Sequence, residues 1–449
     1  MNKGASWGFL IVIVRRRRYP RGVRGAQPPD VSIVCWNGSF TSGGRAPLKP
    51  PILAALRRGR TTTPALGRSP FAAPPGWPAP MNVEDRLALV REVGEEIVTE
   101  DELRALLEAK PHPVAYDGFE PSGTIHVAQG ILRAINVNKM TLAGVRFKMF
   151  VADWHAWANN KMGGDLEKIQ ATGRYIVEIW KATGMDLDHV QFVWASEFVT
   201  DEAYWKKVMN IARDSSLDRI LRTTQIMGRS DKDKLSAAQI LYPCMQAADI
   251  FHLGADITQL GMDQRKVNML AREVGPKLGY YKPIVVSHHM MMGLQAPPSA
   301  EMDPVERATA MKMSKSNPDS AIFMSDSAEQ VTKKLNKAFC PEKVVEENPV
   351  LEYFRYLIFQ RHWANHRTGR PGESPVTIER PEKFGGNVTY ETYAALAADY
   401  AEGKVHPADL KKTAARYLNE ILQPVRDHFE KDEKAKALKA QVESFKVTR

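Results

Sequence analysis

The sequence predicts an α/β protein, a doubly wound parallel sheet followed by a mostly helical second domain. Three observations lead there. Between His112 and His288, short β-branched and aromatic runs alternate with longer runs of helical spacing, the pattern of strand-helix-strand units. From about residue 327 the strand-like runs largely stop and helical spacing takes over. The chain has 449 residues, 43% hydrophobic and 25% charged, which is a globular composition and a length better suited to two domains than to one.

Residues 1–80 stand apart. They hold thirteen of the 62 Lys and Arg but one of the 52 Asp and Glu, Asp30, which leaves the body with 49 bases and 51 acids. The net charge of +10 is therefore a property of the leader, and any RNA binding by the body rests on local patches and shaped sites rather than on a global field. Rich in Pro, Gly and Arg, with no sustained period beyond GFLIVIV at 8–14, the leader reads as a segment that does not fold. It suits an organelle transit peptide, though it is poor in Ser, or else upstream sequence before a functional start at Met81. Cys35, Cys244 and Cys340 form no pair with metal-ligand or redox spacing, pointing to a reducing compartment and no structural metal. No run reaches the roughly eighteen apolar residues of a membrane span.

In the body, Leu87, Leu89, Val90, Val93 and Ile97 mark one helix face, and Thr99 with Glu102 three residues on makes a capping box for a second helix. Strands follow at 112–119, 145–153, 190–196, 255–261 and 283–288. Helices are expected at about 124–142, 167–184, 201–213, 233–251 and 263–274. The boundary to the helical domain falls near 326–335, giving domains at 81–326 and 327–449. Ligands of such sheets bind at the carboxyl ends of the strands.

Three stretches carry polar chemistry. After the first strand comes GFEPSGTIH, where Gly118 and Gly123 permit close backbone approach and His126 sits in the first turn of a helix whose N-terminus suits an anion; an ordinary strand-to-helix turn is the plainer reading. The string Lys312-Met313-Ser314-Lys315-Ser316 places two lysines and two hydroxyls in a loop after a Pro-rich segment, suited to a polyphosphate or simply solvated. In YPCMQAADI, Tyr242, Gln246 and Asp249 fall on one helix face, where Pro243 costs nothing if it starts the helix; the stripe is either a solvated face or one wall of a pocket. Neither GxxxxGK[ST] nor a strand-following GxGxxG occurs.

Taken together, the glycine-histidine turn and KMSKS resemble the class I aminoacyl-tRNA synthetases. YDGFEPSGTIH, ADWHAW, LYPCMQAADI, GMDQRK, EKFGGNVTY and HPADLKK bring the resemblance closest to the tyrosyl-tRNA synthetase family of eukaryotic and archaeal type. One departure stands out: the first signature reads His126-Val127-Ala128-Gln129, with Gln129 in place of the family's second histidine. The resemblance implies a Rossmann-like catalytic domain and a helical anticodon-binding domain. It implies Tyr116 and Asp249 on the substrate hydroxyl, and Tyr242, Gln246 and Gln264 on its ammonium group. It further implies His126, Lys312 and Lys315 as the catalytic residues, with Gly118, Gly123 and Met313 around ATP, and His155 as a wall of the pocket. Arg265, Phe384 and Asp409 are implied as contacts to tRNA(Tyr). L-tyrosine, ATP and Mg²⁺, a homodimer, a cytoplasmic location and no membrane attachment complete the implied set, with the leader as a possible organelle address. A tryptophan-selective relative has no use for the Tyr116–Asp249 pair.

Overall fold

The computed structural model describes residues 81–228, 234–302, 307, 310–313, 317–364 and 372–445. Thus the leader, Ser314, Lys315 and Ser316 lie outside the described residues. Helix α1 (Val83–Val93) leads into a short strand, β1 (Glu96–Val98), and α2 (Glu100–Ala109). Thr99 and Glu102 form the expected reciprocal cap on α2.

The strands β2 (Val114–Phe119), β3 (Arg146–Val151), β4 (Val190–Trp194), β5 (Ile257–Thr258) and β6 (Ile284–Ser287) join β1 in one six-stranded sheet of order β1-β6-β5-β2-β3-β4. All neighbours are parallel except β1, which runs antiparallel to β6 and pairs Ile97 with Val286. The parallel doubly wound sheet holds, with an antiparallel edge added. Winding proceeds outward from β2 in two directions, so the crevice at the carboxyl ends of β2 and β5 is a topological switch point. There the amide of Gln259 donates to the Tyr116 carbonyl at 3.0 Å.

Between the strands lie α3 (Arg133–Leu142), α4 (Asp153–Ala158), α5 (Leu166–Ala182), α6 (Glu202–Asp214), α7 (Leu217–Thr223), α8 (Ala237–His252) and α9 (Arg265–Lys277). Helix α3 is entered through a π-helical turn, Ala128–Leu132, a feature that recurs at functional sites. Pro243 does not start α8. Ser236 caps it, with Gln239 completing a capping box, and Pro243 lies inside, so α8 runs without one interior rung. Its buried apolar surroundings and cap outweigh that loss.

The helical half comprises α10 (Ala328–Lys337), α11 (Pro349–Tyr353, continued by a π turn, Phe354–Ile358), α12 (Arg361–Ala364), α13 (Tyr393–Ala401), α14 (Pro407–Lys431) and α15 (Glu433–Glu443). A small hairpin of β7 (Val376–Ile378) and β8 (Val388–Tyr390) interrupts it. One continuous apolar core runs from the sheet into these helices. Its seam includes Tyr175 of α5 against Phe429 of α14, ring centres 5.2 Å apart, and the Asn138 amide donating to the Trp363 carbonyl at 2.6 Å.

Candidate active site

A cavity of about 400 Å³ opens at the switch point. One wall is the face of α8 that carries Tyr242, Gln246 and Asp249, and Tyr116 projects from β2 beside it. Asp249 is fully buried. It accepts a hydrogen bond from the Tyr204 hydroxyl at 3.0 Å, and the His155 ring nitrogen Nε2 stands 2.9 Å from its other oxygen. Burial alone would lower the His155 pKa, but the charge of Asp249 and its hydrogen bond raise it. The Tyr116 hydroxyl is buried and makes no well-formed hydrogen bond. Burial first, then the charge of Asp249, holds this phenol neutral far above its ordinary range.

At the other end of this polar stripe, the Gln246 amide donates to Gln264 Oε1 at 3.1 Å, and Gln264 donates in turn to the Ile226 carbonyl at 3.0 Å. Gln264 comes from a short 3₁₀ turn after β5 rather than from the strand itself. Glu120 also lines the cavity; it accepts from Asn159 at 3.0 Å and pairs with Lys161 at 3.4 Å. Burial, followed by the nearby charge of Glu120, keeps the Tyr242 phenol neutral. Tyr116, Asp249, Tyr242, Gln246 and Gln264 therefore share one cavity, with phenol and carboxylate at one end and amides and Glu120 at the other.

Gly118, His126, Gln129, Lys312 and Met313 line the same cavity. A Cβ on Gly118 would lie 3.2 Å from the Phe150 ring, a tight fit that the ring would have to yield to accommodate. Gly123 does not line the cavity; its φ of 108° makes the turn that aims His126. The backbone of His126 bridges to Phe323. The Gln129 carbonyl accepts from the Trp180 indole at 2.9 Å, while its side-chain oxygen is buried without a partner. Lys312 Nζ donates to Asp263 at 3.1 Å.

Beneath this half lies a buried polar cluster. The Arg133 guanidinium pairs with Asp117 at 2.8 Å, donates to Gln259, and approaches His288 Nε2 at 2.8 Å. Burial pushes Asp117 up to about 7 despite Arg133, and burial with the arginine's charge keeps His288 neutral.

The three expected RNA contacts lie elsewhere. Arg265 is outside the cavity lining and pairs with Glu96 at 2.8 Å. Phe384, 62% exposed, sits at the tip between β7 and β8. Asp409 occupies the first turn of α14, after the His406 cap. Arg380 ties these last two regions together, donating to the Gly386 carbonyl at 3.1 Å and to the Lys404 carbonyl at 2.7 Å. Lys315 lies outside the described residues. Sequence reasoning passed over Glu120, Asp263, Asp117 and Arg133. The first two sit inside the GFEPSG and GMDQRK stretches and were within reach; the Asp117–Arg133 pair has no local signature.

A cavity lined by a buried phenol, a carboxylate and amides, beside a glycine-histidine turn and Lys312 at the switch point of a parallel sheet, has the layout of the class I synthetases. A family described as tRNA synthetases class I (W and Y) matches residues 108–423. Among proteins of known function, tyrosine–tRNA ligase 1, cytoplasmic, of Arabidopsis thaliana is 53% identical over 377 residues, 83% of this chain and 92% of that one. The structure resembles Leishmania major tyrosyl-tRNA synthetase in complex with tyrosinol, with TM-score 0.72 and 44% identity; the match covers 82% of this chain and 61% of that one. It also resembles Pyrococcus horikoshii tyrosyl-tRNA synthetase complexed with L-tyrosine, with TM-score 0.73 and 40% identity, covering 80% of this chain and 100% of that one. The chain belongs to the class I tRNA synthetases, and within them it stands with the tyrosyl branch.

Proposed function

We propose that the chain is a tyrosine–tRNA ligase and that this cavity carries both steps of its reaction. The carboxylate of L-tyrosine attacks the α-phosphorus of ATP, and pyrophosphate departs with the electron pair of the broken P–O bond. The terminal ribose hydroxyl of tRNA(Tyr) then attacks the carbonyl carbon of the adenylate, the acyl–O bond breaks, and AMP leaves. The observation that carries this reading is the pairing, at one end of the cavity, of a fully buried carboxylate with a buried phenol that lacks a well-formed partner. A substrate hydroxyl donates to Asp249 and accepts from Tyr116; a substrate without one leaves both unpaired.

Tyr242, Gln246 and Gln264, with Glu120, receive the α-ammonium group. His126, Lys312 and Lys315 stabilise charge developing on the phosphates, while Gly118, Gly123 and Met313 shape the ATP side. No side chain forms a covalent intermediate, so rate enhancement rests on positioning and electrostatics. Mg²⁺ enters with ATP as part of the substrate, held by phosphate oxygens. Among the described residues no group of three or more His, Cys, Asp or Glu stands together to cage an ion, and Mg²⁺ bound with nucleotides takes few protein ligands.

Residues 81–326 form the catalytic domain and 327–449 the anticodon-binding domain. The exposed Phe384 ring stacks on an anticodon base and Asp409 accepts from a guanine edge, while Arg265 meets the acceptor stem. The working form is a homodimer, and its place is the cytoplasm, as for the Arabidopsis relative. Charging of a tRNA(Tyr) transcript tests the reading: the chain from Met81 onward loads tyrosine as well as the full chain does. Loading of tryptophan onto its own tRNA instead would overturn it.

A further inference from the structure

The helical half reaches the rim of the cavity through one carboxylate. Glu352 lies on α11, which is capped by Asn348 and buried along most of its length. One of its oxygens accepts the backbone N–H of Met292 at 2.8 Å, and the other stands 3.1 Å from His289 Nε2. The other nitrogen of the His289 ring faces Glu95 at 3.2 Å. The ring also stacks on Tyr356, with centres 4.4 Å apart and planes 11° from parallel, and Arg355 covers the Tyr356 ring at 5.1 Å. Both ring nitrogens of this imidazole are thus committed.

What Glu352 holds is the partner of the signature loop. Met292 forms a β-bridge with Lys312, and the Gly293 amide donates to the Met311 carbonyl at 2.7 Å. Residues His289, Met290 and Met291 line the cavity together with Lys312 and Met313. Glu352 of α11 thus holds the Met292 amide, and the adjoining Gly293 amide holds the carbonyl of Met311, the residue before the first lysine of KMSKS. Burial alone would lower the His289 pKa, but the two carboxylates raise it, which strengthens the clamp.

We infer that Glu352, with His289, is a positioning residue of the ATP half of the site: it sets the place of Lys312 from the helical half of the chain and leaves the tyrosine pocket untouched. This rests on the reading of the cavity as a tyrosine and ATP site. The Tyr116–Asp249 end shares none of these contacts, so the two substrates should respond differently.

The test is tyrosine-dependent ATP–pyrophosphate exchange with the full chain. In Glu352→Ala the KM for ATP should rise about tenfold, the weight of one charge-assisted hydrogen bond, with the KM for tyrosine within about twofold of wild type. Glu352→Gln, which retains an acceptor for the Met292 amide, should recover most of the loss. His289→Gln should raise the KM for ATP alone by about threefold, and it decides the matter if Glu352→Ala does not fold. An unchanged KM for ATP in these variants, or equal rises for both substrates, overturns the inference while the wild-type reading stands. A wild-type chain without tyrosine-dependent exchange overturns both.

Discussion

Replacing Asp249 by Asn probes the specificity end of the pocket with little change of shape. Asp249 is fully buried between Tyr204 and His155. The amide can still accept from Tyr204 through its oxygen, but it then presents N–H groups where the carboxylate offered an acceptor. The substrate hydroxyl loses a hydrogen bond to a charged partner, worth about 1.5–3 kcal/mol, or roughly 10- to 150-fold in kcat/KM. A site that holds a substrate hydroxyl rejects the analogue without it by about 10⁴ to 10⁵, so the preference for tyrosine over phenylalanine should shrink by one to two decades. Tyr116→Phe removes a neutral partner and should cost less, about 0.5–1.5 kcal/mol. Because both side chains meet the same hydroxyl, the double variant should lose less than the sum. The assay is pyrophosphate exchange at subsaturating amino acid, reporting the ratio of kcat/KM for tyrosine and phenylalanine. A ratio that stays within twofold of wild type in Asp249→Asn would refute the placement of the substrate hydroxyl.

Lys315→Ala should slow tyrosyl-adenylate formation at least tenfold while the KM for tyrosine stays within about twofold; unchanged exchange would remove Lys315 from the reaction. Phe384→Ala should raise the KM for tRNA(Tyr) about 5- to 100-fold, since base stacking on an aromatic is worth about 1–3 kcal/mol, and should leave exchange unaltered; equal charging would show that the ring does not stack on the RNA. Glu102 is held down to about 2 by its hydrogen bonds to Lys282 and Arg272, with burial opposing. Its folded pKa lies below the unfolded one, so its contribution is present above about pH 4.5 and is lost as the pH falls toward 2. The Glu102 side chain is a third exposed, which limits that contribution to about 1 kcal/mol. Melting temperatures of Glu102→Gln should accordingly fall less steeply with acidification than those of wild type, and parallel curves would contradict this.

Local signals carried much of the architecture. The Thr99–Glu102 box, the β-branched runs and the helical spacings all fixed elements close to where they stand. Strand β1 was harder, because three residues are too short to show a period; it exists through its pairing with β6, a contact distant in sequence. Helix α8 stands close to the expected 233–251, but Pro243, which reads as a first-turn residue, lies inside it, and Ser236 with Gln239 supplies the cap. In the site, the α8 stripe was legible as a stripe, but only Tyr116 from β2 and Gln264 from beyond β5 turn it into a pocket. Arg133 belongs to the same lesson: its partners Asp117, Gln259 and His288 come from three separate strand ends.

The most direct measurement is exchange of labelled pyrophosphate into ATP by the purified chain, run in parallel with tyrosine, tryptophan and phenylalanine. Exchange with tyrosine should be at least about 10⁴-fold more efficient than with phenylalanine, with none above background for tryptophan. Exchange supported equally by tryptophan, or by no amino acid at all, would contradict this.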